Sequence, residues 1–189
     1  LAALLDLGVP LDAISNPLNL LGLNDSYSLK VEESKSFNLR GLKVFVKDNL
    51  VATKKFNWID IRKLIEGSSL ENNLKEKVLK VFEIIAEAEA YVHGIDIDQV
   101  HFHEIGAIDS FVDIVGVCAA TEFLKIDTCC CSFPPAGSGL VETSHGKLPV
   151  PVPAVLQLAK THRIKLCSDF DSNGELTTPT GLALLIVLA

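Results

Sequence analysis

Residues 68–94, SSLENNLKEKVLKVFEIIAEAEAYVHG, carry the clearest secondary-structure pattern in the chain. Apolar side chains recur there three or four positions apart, which is the spacing of one buried helix face. These side chains are Leu70, Leu74, Val78, Val81, Ile85, Ala88 and Val92. Ser68 and Glu71 have the spacing of a capping box, and Gly94 is a typical C-terminal stop. The pattern therefore predicts a long amphipathic helix that acts as the scaffold of the fold.

Strands and further helices are predicted on both sides of this helix. Residues 27–47 alternate apolar and polar, which predicts an antiparallel hairpin with its turn in ESKSFN. Helices are predicted in LAALLDLGVP, in WIDIRKLIEG, at about residues 110–125, in PVPAVLQLAK and in TTPTGLALLIVLA, where Thr178 is the expected N-cap. Strands are predicted at residues 100–103, in IDTCCCSF and in IKLCS. The expected fold class is α/β, a mixed sheet with an antiparallel hairpin region and flanking helices in one layered domain.

Composition narrows the class of protein. The chain has 189 residues, is 48% hydrophobic and carries a formal net charge of −7, so it lacks the basic footprint of a nucleic-acid binder. No apolar run reaches the roughly 18 residues of a membrane span. The five cysteines are an odd number and three are adjacent, which fits a reduced, cytoplasmic setting. We interpret the adjacent three, Cys129, Cys130 and Cys131, as core packing.

Both ends of the chain read as interrupted elements. The first residues already look like the middle of a helix, there is no methionine, and the chain ends inside the apolar run TGLALLIVLA. We therefore expect residues 1–189 to be most of the N-terminal domain of a longer protein, without its first strand and its C-terminal domain.

The stretch HFHEIGAIDS, residues 101–110, concentrates possible metal ligands. In a strand, residues two apart point to the same side, so His101 and His103 would share a face opposite the buried Val100 and Phe102. Two imidazoles on one face form a half-site for a borderline metal such as nickel, zinc or cobalt. Glu104 could orient an imidazole or supply an oxygen ligand.

Two aspartates and a distant histidine extend this candidate site. Asp109 and Asp113 are four apart, which places both carboxylates on one face at the start of the predicted helix. Ser110 and Asp113 also fit a capping box, which is the structural alternative for Asp113 alone. His145 is of interest as a third imidazole for the pair, whereas His93 is explained by compensation of the helix dipole.

Two segments could bind a phosphate. Gly137, Ser138 and Gly139 follow a predicted strand and could present backbone N–H groups. Thr178, Thr180 and Gly181 offer hydroxyls and N–H groups at the start of the last helix. Turn geometry alone commonly accounts for glycine and serine in a loop such as the first segment. Helix capping explains the second segment about as well as ligand binding does, so both alternatives stay open there.

Three segments together resemble one known family. VHFHEIGAIDSFVDIVG, GSGLVETSHGKLPVPVPA and GELTTPTGLALL, in this order and with AEAEAYVHG ahead of them, resemble the LarC family of nickel insertion proteins. The resemblance covers nearly the whole chain. The place where family members often carry a histidine-rich tract reads VATKKFNW here, without histidine.

The resemblance implies an enzyme, a nickel chelatase of the lyase class. It would insert Ni²⁺ into pyridinium-3,5-bisthiocarboxylic acid mononucleotide with the help of CTP and Mn²⁺ or Mg²⁺. The product is the nickel-pincer cofactor of lactate racemase and related enzymes. The family is cytoplasmic, and the resemblance implies a homo-oligomer in the full-length protein and, as a further partner, the apoenzyme that receives the cofactor. A metal-dependent nucleotide hydrolase and a non-enzymatic nickel-binding chaperone are the alternatives, and the fragment alone could be inactive.

Overall fold

The fold is built from short strands around two central helices. The computed structural model describes residues 1–49, 56–102, 108–168 and 173–189. Within these ranges the helices are α1 (Ala2–Asp6), α2 (Asp12–Leu20), α3 (Trp58–Glu66), α4 (Asn72–His93), α5 (Ile108–Phe123), α6 (Pro153–Thr161) and α7 (Pro179–Leu188). The strands are β1 (Tyr27–Ser36), β2 (Leu39–Asp48), β3 (Gly137–Ser138), β4 (Leu140–Thr143), β5 (Gly146–Pro149) and β6 (Gly174–Glu175). The predicted α/β class is confirmed.

The long hairpin is the largest β-structure among the described residues. Strands β1 and β2 pair antiparallel from Tyr27 opposite Asp48 to Ser36 opposite Leu39. The turn consists of Phe37 and Asn38, which have φ angles of 47° and 64°. Two central residues with positive φ make a turn whose twist matches that of the strands. The predicted hairpin is confirmed, with its turn at the end of the polar stretch.

The other described strands form two short antiparallel pairs, β3 with β6 and β4 with β5. Pro135 and Cys167 add an isolated parallel bridge, so the strand predicted in IKLCS is reduced to a single bridged residue. No strand forms in IDTCCCSF, where Cys130 and Cys131 are exposed and Cys129 is half-buried. The core-packing interpretation of these thiols was wrong, because no neighbouring strand among the described residues pairs with the segment and covers it.

Helix α4 is the scaffold that its periodicity predicted. It contacts α3, α5, α6 and α7, and Gly94 ends it in the left-handed conformation with φ 64°. The predicted capping box is not formed. Glu71 is the N-cap, without a side-chain cap, and the Ser68 hydroxyl instead donates to the carbonyl of Ile65, 2.6 Å away. Ser68 therefore completes the end of α3.

Helix α5 lies in the centre of the molecule. Its buried residues come from all sides of the helix, which explains its almost continuous apolar sequence. Phe111 contacts Phe82 and Phe56, with ring centroids 5.0 and 5.2 Å apart, and Phe82 in turn contacts Phe102 at 6.4 Å. These rings hold the start of α5 against α4 and connect both helices to Phe56 and Phe102.

The predicted first helix is confirmed, and a second helix follows it. Helix α1 is short, and Gly8, with φ 100°, follows it. Helix α2, which the sequence analysis did not predict, packs on α5 through the fully buried Ile14 and Leu18. The two helices thus complete the core on the side of α5.

Candidate functional site

A cavity of about 520 Å³ opens between the end of α4, the start of α5, the β4–β5 hairpin, the start of α6, strand β6 and the start of α7. This volume falls within the range of pockets that hold small organic ligands. The titratable residues that line it are Glu89, His93, Asp109, Asp113, His145 and Glu175. Its remaining walls combine apolar side chains with the hydroxyls of Ser110, Thr143, Thr178 and Thr180.

Asp109 and Asp113 line the cavity together, on the first two turns of α5, as their spacing predicted. The Asp109 carboxylate accepts a hydrogen bond of 2.7 Å from the backbone N–H of Ser110. The protein atoms around the Asp113 carboxylate desolvate it and raise its pKa, and the nearby Asp109 acts in the same direction. A cation between the two carboxylates would relieve this repulsion.

The predicted capping box of Ser110 and Asp113 is not formed. Helix α5 already includes Ile108, so Ser110 lies inside the helix, where it is buried. The capping alternative for Asp113 is therefore wrong, and Asp113 lines the cavity instead.

Two histidines that line the cavity contact each other. The ring centroids of His93 and His145 are 5.0 Å apart, with an angle of 50° between the ring planes. His93 belongs to the last turn of α4, and its Nε2 lies 3.4 Å from Oε2 of Glu89, one turn earlier. The sequence analysis placed His145 with His101 and His103, and it did not foresee the contact with His93.

The β4–β5 turn holds His145 in position. The backbone N–H of His145 donates to Oγ1 of Thr143 over 3.1 Å, and this hydroxyl donates to the carbonyl of Gly146 over 2.9 Å. Since Gly146 has a φ of 89°, it suits the tight reversal between the two strands. The turn thereby presents the imidazole to the cavity.

His101 lies apart from these residues. It forms an isolated antiparallel bridge with Asn57 and is exposed, while Val100 and Phe102 on either side are 1% and 2% exposed. The predicted alternation is therefore confirmed for these three residues. His101 does not line the cavity. Its predicted partners His103 and Glu104 lie outside the described residues.

The two segments predicted to bind a phosphate have different positions. Thr178 and Thr180 line the cavity. Gly181 donates its N–H to Oγ1 of Thr178 over 3.1 Å, so Thr178 is the N-cap of α7 and pairs this N–H. None of the three residues Gly137, Ser138 and Gly139 lines the cavity.

The strand pair β3–β6 explains the first of these glycines. A Cβ on Gly137 would lie 2.2 Å from the carbonyl oxygen of Gly174, and the φ of Gly137 is 80°. Close approach of two backbones therefore accounts for this glycine without a ligand.

The described protein donors do not form a complete metal site by themselves. Across the described ranges, no group of three His, Cys, Asp or Glu side chains converges closely enough to hold a metal ion. Glu89, His93 and Glu175 were not predicted from the sequence as cavity residues. Glu89 and His93 are four apart at the end of an amphipathic helix, and this spacing could have indicated them.

Carboxylates and imidazoles around a cavity of this size are typical of proteins that handle a cation beside a small molecule. The profile of the family described as "Nickel insertion protein" matches residues 1–189. The chain therefore belongs to the nickel insertion protein family.

Similar proteins with curated descriptions occur in several bacteria. A pyridinium-3,5-bisthiocarboxylic acid mononucleotide nickel insertion protein from Acetivibrio thermocellus is 42% identical over 198 residues, which cover 100% of this chain and 48% of the relative. A protein of the same name from Clostridium kluyveri is 40% identical over 99% of this chain and 49% of the relative. The chain thus spans about half the length of the curated relatives it matches.

No solved structure shows a significant match to the chain. In the part of the chain that the structure describes, every helix is too short or too polar to span a bilayer.

Proposed function

We propose that this chain takes part in the insertion of Ni²⁺ into pyridinium-3,5-bisthiocarboxylic acid mononucleotide, as a nickel chelatase of the lyase class in the cytoplasm. The reaction would depend on CTP with Mn²⁺ or Mg²⁺ and would yield the nickel-pincer cofactor of lactate racemase-type enzymes. One observation carries the proposal: in a member of the nickel insertion protein family, four carboxylates and two imidazoles line one cavity of about 520 Å³.

The donor types fit a metal that must change its ligands. Nickel enters as a hydrated ion and leaves bound to sulfur, so the protein has to hold it at intermediate strength. Imidazoles suit nickel, whereas carboxylates suit the harder Mn²⁺ and Mg²⁺. The imidazoles of His93 and His145 and the carboxylates of Asp109 and Asp113 provide both kinds of donor in one cavity. The nickel pair expected from the sequence, His101 and His103, stays part of the proposal, with His145 as a third imidazole and Glu104 as an orienting residue or an oxygen ligand.

The start of α7 would receive the phosphate of the mononucleotide. Helix N-termini attract anions through their unpaired N–H groups and their dipole. The hydroxyl groups of Thr178 and Thr180 add hydrogen-bond donors that face the same cavity. Gly181 would contribute through the cap that orders this turn. The Gly137–Gly139 loop, which lies outside the cavity, is the second candidate for a phosphate, of CTP or of the substrate.

The whole reaction would belong to a longer polypeptide. Since the chain spans about half the length of its curated relatives, we propose that it forms most of an N-terminal domain and that the full protein is a homo-oligomer. The finished cofactor would then pass to the apoenzyme. All five cysteines are free thiols, which is compatible with a cytoplasmic location.

The experiment combines the full-length polypeptide with NiCl₂, MnCl₂, CTP and the mononucleotide. Mass spectrometry measures the nickel-containing product, and chromatography measures the consumption of CTP. Asp109→Asn and Asp113→Asn should each lower the yield of product at least about tenfold, a loss typical of groups that hold or orient a catalytic metal. Asp127→Asn, an exposed carboxylate outside the cavity, is the matched control and should keep the wild-type yield.

Two results would contradict the proposal. Consumption of CTP without any nickel-containing product would favour a metal-dependent nucleotide hydrolase. Nickel bound tightly and never transferred would favour a non-enzymatic chaperone.

A further inference from the structure

We propose that His93 and His145 form a two-imidazole nickel site on the wall of the cavity, which holds Ni²⁺ while the pincer substrate supplies the remaining ligands. The role in transfer rests on the proposed function, but the binding of the ion does not.

The separation of the two rings fits a shared ion. Metal–nitrogen bonds of about 2.1 Å and a ligand–metal–ligand angle of roughly 90–110° place the centroids of two imidazoles about 4.6–5.3 Å apart. The centroids of His93 and His145 are 5.0 Å apart. The rings are also tilted by 50° rather than stacked flat, and a tilt between the ring planes is compatible with two imidazoles bound to one ion.

Glu89 supports such a site as a positioning residue. Its Oε2 lies 3.4 Å from Nε2 of His93. An imidazole that is oriented by a carboxylate near one of its ring nitrogens is the arrangement found around metal-binding histidines. Compensation of the helix dipole explains a histidine at position 93 but does not explain why a turn from another part of the chain brings His145 against it.

Two imidazoles by themselves do not fill the coordination sphere of nickel. Nickel bound by two imidazoles keeps open positions, which water fills first and the sulfur donors of the substrate can then take. The carboxylates of Asp109, Asp113 and Glu175 line the same cavity and favour entry of a divalent cation. A closed four-ligand site would retain the ion.

The test uses the full-length polypeptide and Ni²⁺ alone as the probe. Isothermal titration calorimetry gives the dissociation constant and the number of ions bound, and X-ray absorption at the nickel edge gives the number of imidazole ligands. His93→Gln and His145→Gln should each weaken binding at this site by more than about tenfold and remove imidazole scattering. Glu89→Gln should weaken binding less and leave the number of imidazoles unchanged.

His162→Gln is the matched control, because His162 ends α6 and does not line the cavity. It should bind Ni²⁺ as the wild type does. Circular dichroism confirms that each variant is folded. If folded His93→Gln and His145→Gln proteins bind Ni²⁺ with the wild-type constant and the wild-type imidazole count, the site does not exist.

The insertion assay separates this inference from the proposed function. Suppose that the wild-type protein inserts nickel and that the His93→Gln and His145→Gln variants bind Ni²⁺ with the wild-type dissociation constant. This result would overturn the two-imidazole site and leave the proposed function intact. A wild-type protein that binds Ni²⁺ through both imidazoles but never forms the product would support the site and overturn the proposed function.

Discussion

Asp113 shows how the cavity acts on a single residue. Its carboxylate lies in the wall beside Asp109, and desolvation together with that neighbour raises its pKa above the ordinary value of 3.8. The folded chain therefore holds this proton more tightly than the unfolded chain does. As the pH rises from the ordinary pKa of Asp113 through its raised pKa, the unfolded chain loses this proton more easily than the folded chain does. The unfolded state gains relative stability over this range, so Asp113 lowers the free energy of unfolding at neutral pH.

Asp113→Asn removes this penalty. We expect the melting temperature of the variant, relative to wild type, to increase as the pH rises through that window and to level off above it. Calorimetry in the presence of EDTA, between about pH 3.5 and 7.5, measures this difference. Asp127→Asn reports the effect of losing an exposed carboxylate, and a difference for Asp113→Asn that is the same at every pH would contradict the argument.

The residues that the sequence predicted correctly are those whose position follows from local spacing. Asp109 and Asp113 share a face because helical residues four apart do so, and Val100 and Phe102 are buried on either side of an exposed His101. The contact between His93 and His145 depends on how a hairpin turn packs against a distant helix end. No periodicity encodes such a contact, so only the structure shows it.

The same limit applies to the cysteines. Cys130 and Cys131 lie in an apolar run that is typical of a buried strand, yet they are exposed. Cys118, in the central helix, is the buried thiol, and burial raises its pKa to about 12. An apolar sequence shows what a segment could bury, but the neighbouring elements decide whether it is buried.

Among the elements, the pair β3–β6 depends on its glycines. Gly137 has a φ of 80°, and a Cβ at this position would lie 2.2 Å from the carbonyl oxygen of Gly174. Gly139 has a φ of 89°, and a Cβ there would lie no closer than 4.0 Å to another residue, at Oδ1 of Asn173. The two positions separate the effect of steric overlap from that of backbone conformation alone.

Gly137→Ala should destabilise the protein by more than about 1 kcal/mol, because alanine tolerates neither the positive φ nor the close backbone. Gly139→Ala should cost less, since only the positive φ is unfavourable there. Urea unfolding followed by circular dichroism measures both free energies. Equal losses for the two variants would show that the close approach to Gly174 has no effect.

Helices were predicted better than strands for a physical reason. A helix closes its hydrogen bonds within itself, so the N-cap at Thr178, the stop at Gly94 and the face of α4 can be read from neighbouring residues. A strand needs a partner from elsewhere. In the long hairpin, the partner of the first strand follows directly after a two-residue turn, so the pair was predicted. The sequences IDTCCCSF and IKLCS look like strands, but they do not show whether a partner strand is present.

At the scale of the molecule, the aromatic contacts connect the core to the cavity. Phe111 is fully buried between Asp109 and Asp113 in the sequence and packs on Phe82 and Phe56. The same packing that stabilises the fold therefore sets the position of the two carboxylates.

Phe111→Ala should lower the free energy of unfolding by about 3–5 kcal/mol, the usual cost of a large cavity in a core. Phe133→Ala is the control, because Phe133 is 59% exposed and surface changes usually stay within about 0.5 kcal/mol. Chemical denaturation measures both variants. A loss for Phe111→Ala no larger than that of the control would show that the aromatic contacts do not hold α5 in place.

The wall of the cavity joins segments that are far apart in the chain. The end of α4 emerges from the ribosome long before the start of α7, and the acids of α5 and the β4–β5 turn come between them. The cavity is therefore complete only after this whole region has been translated and folded.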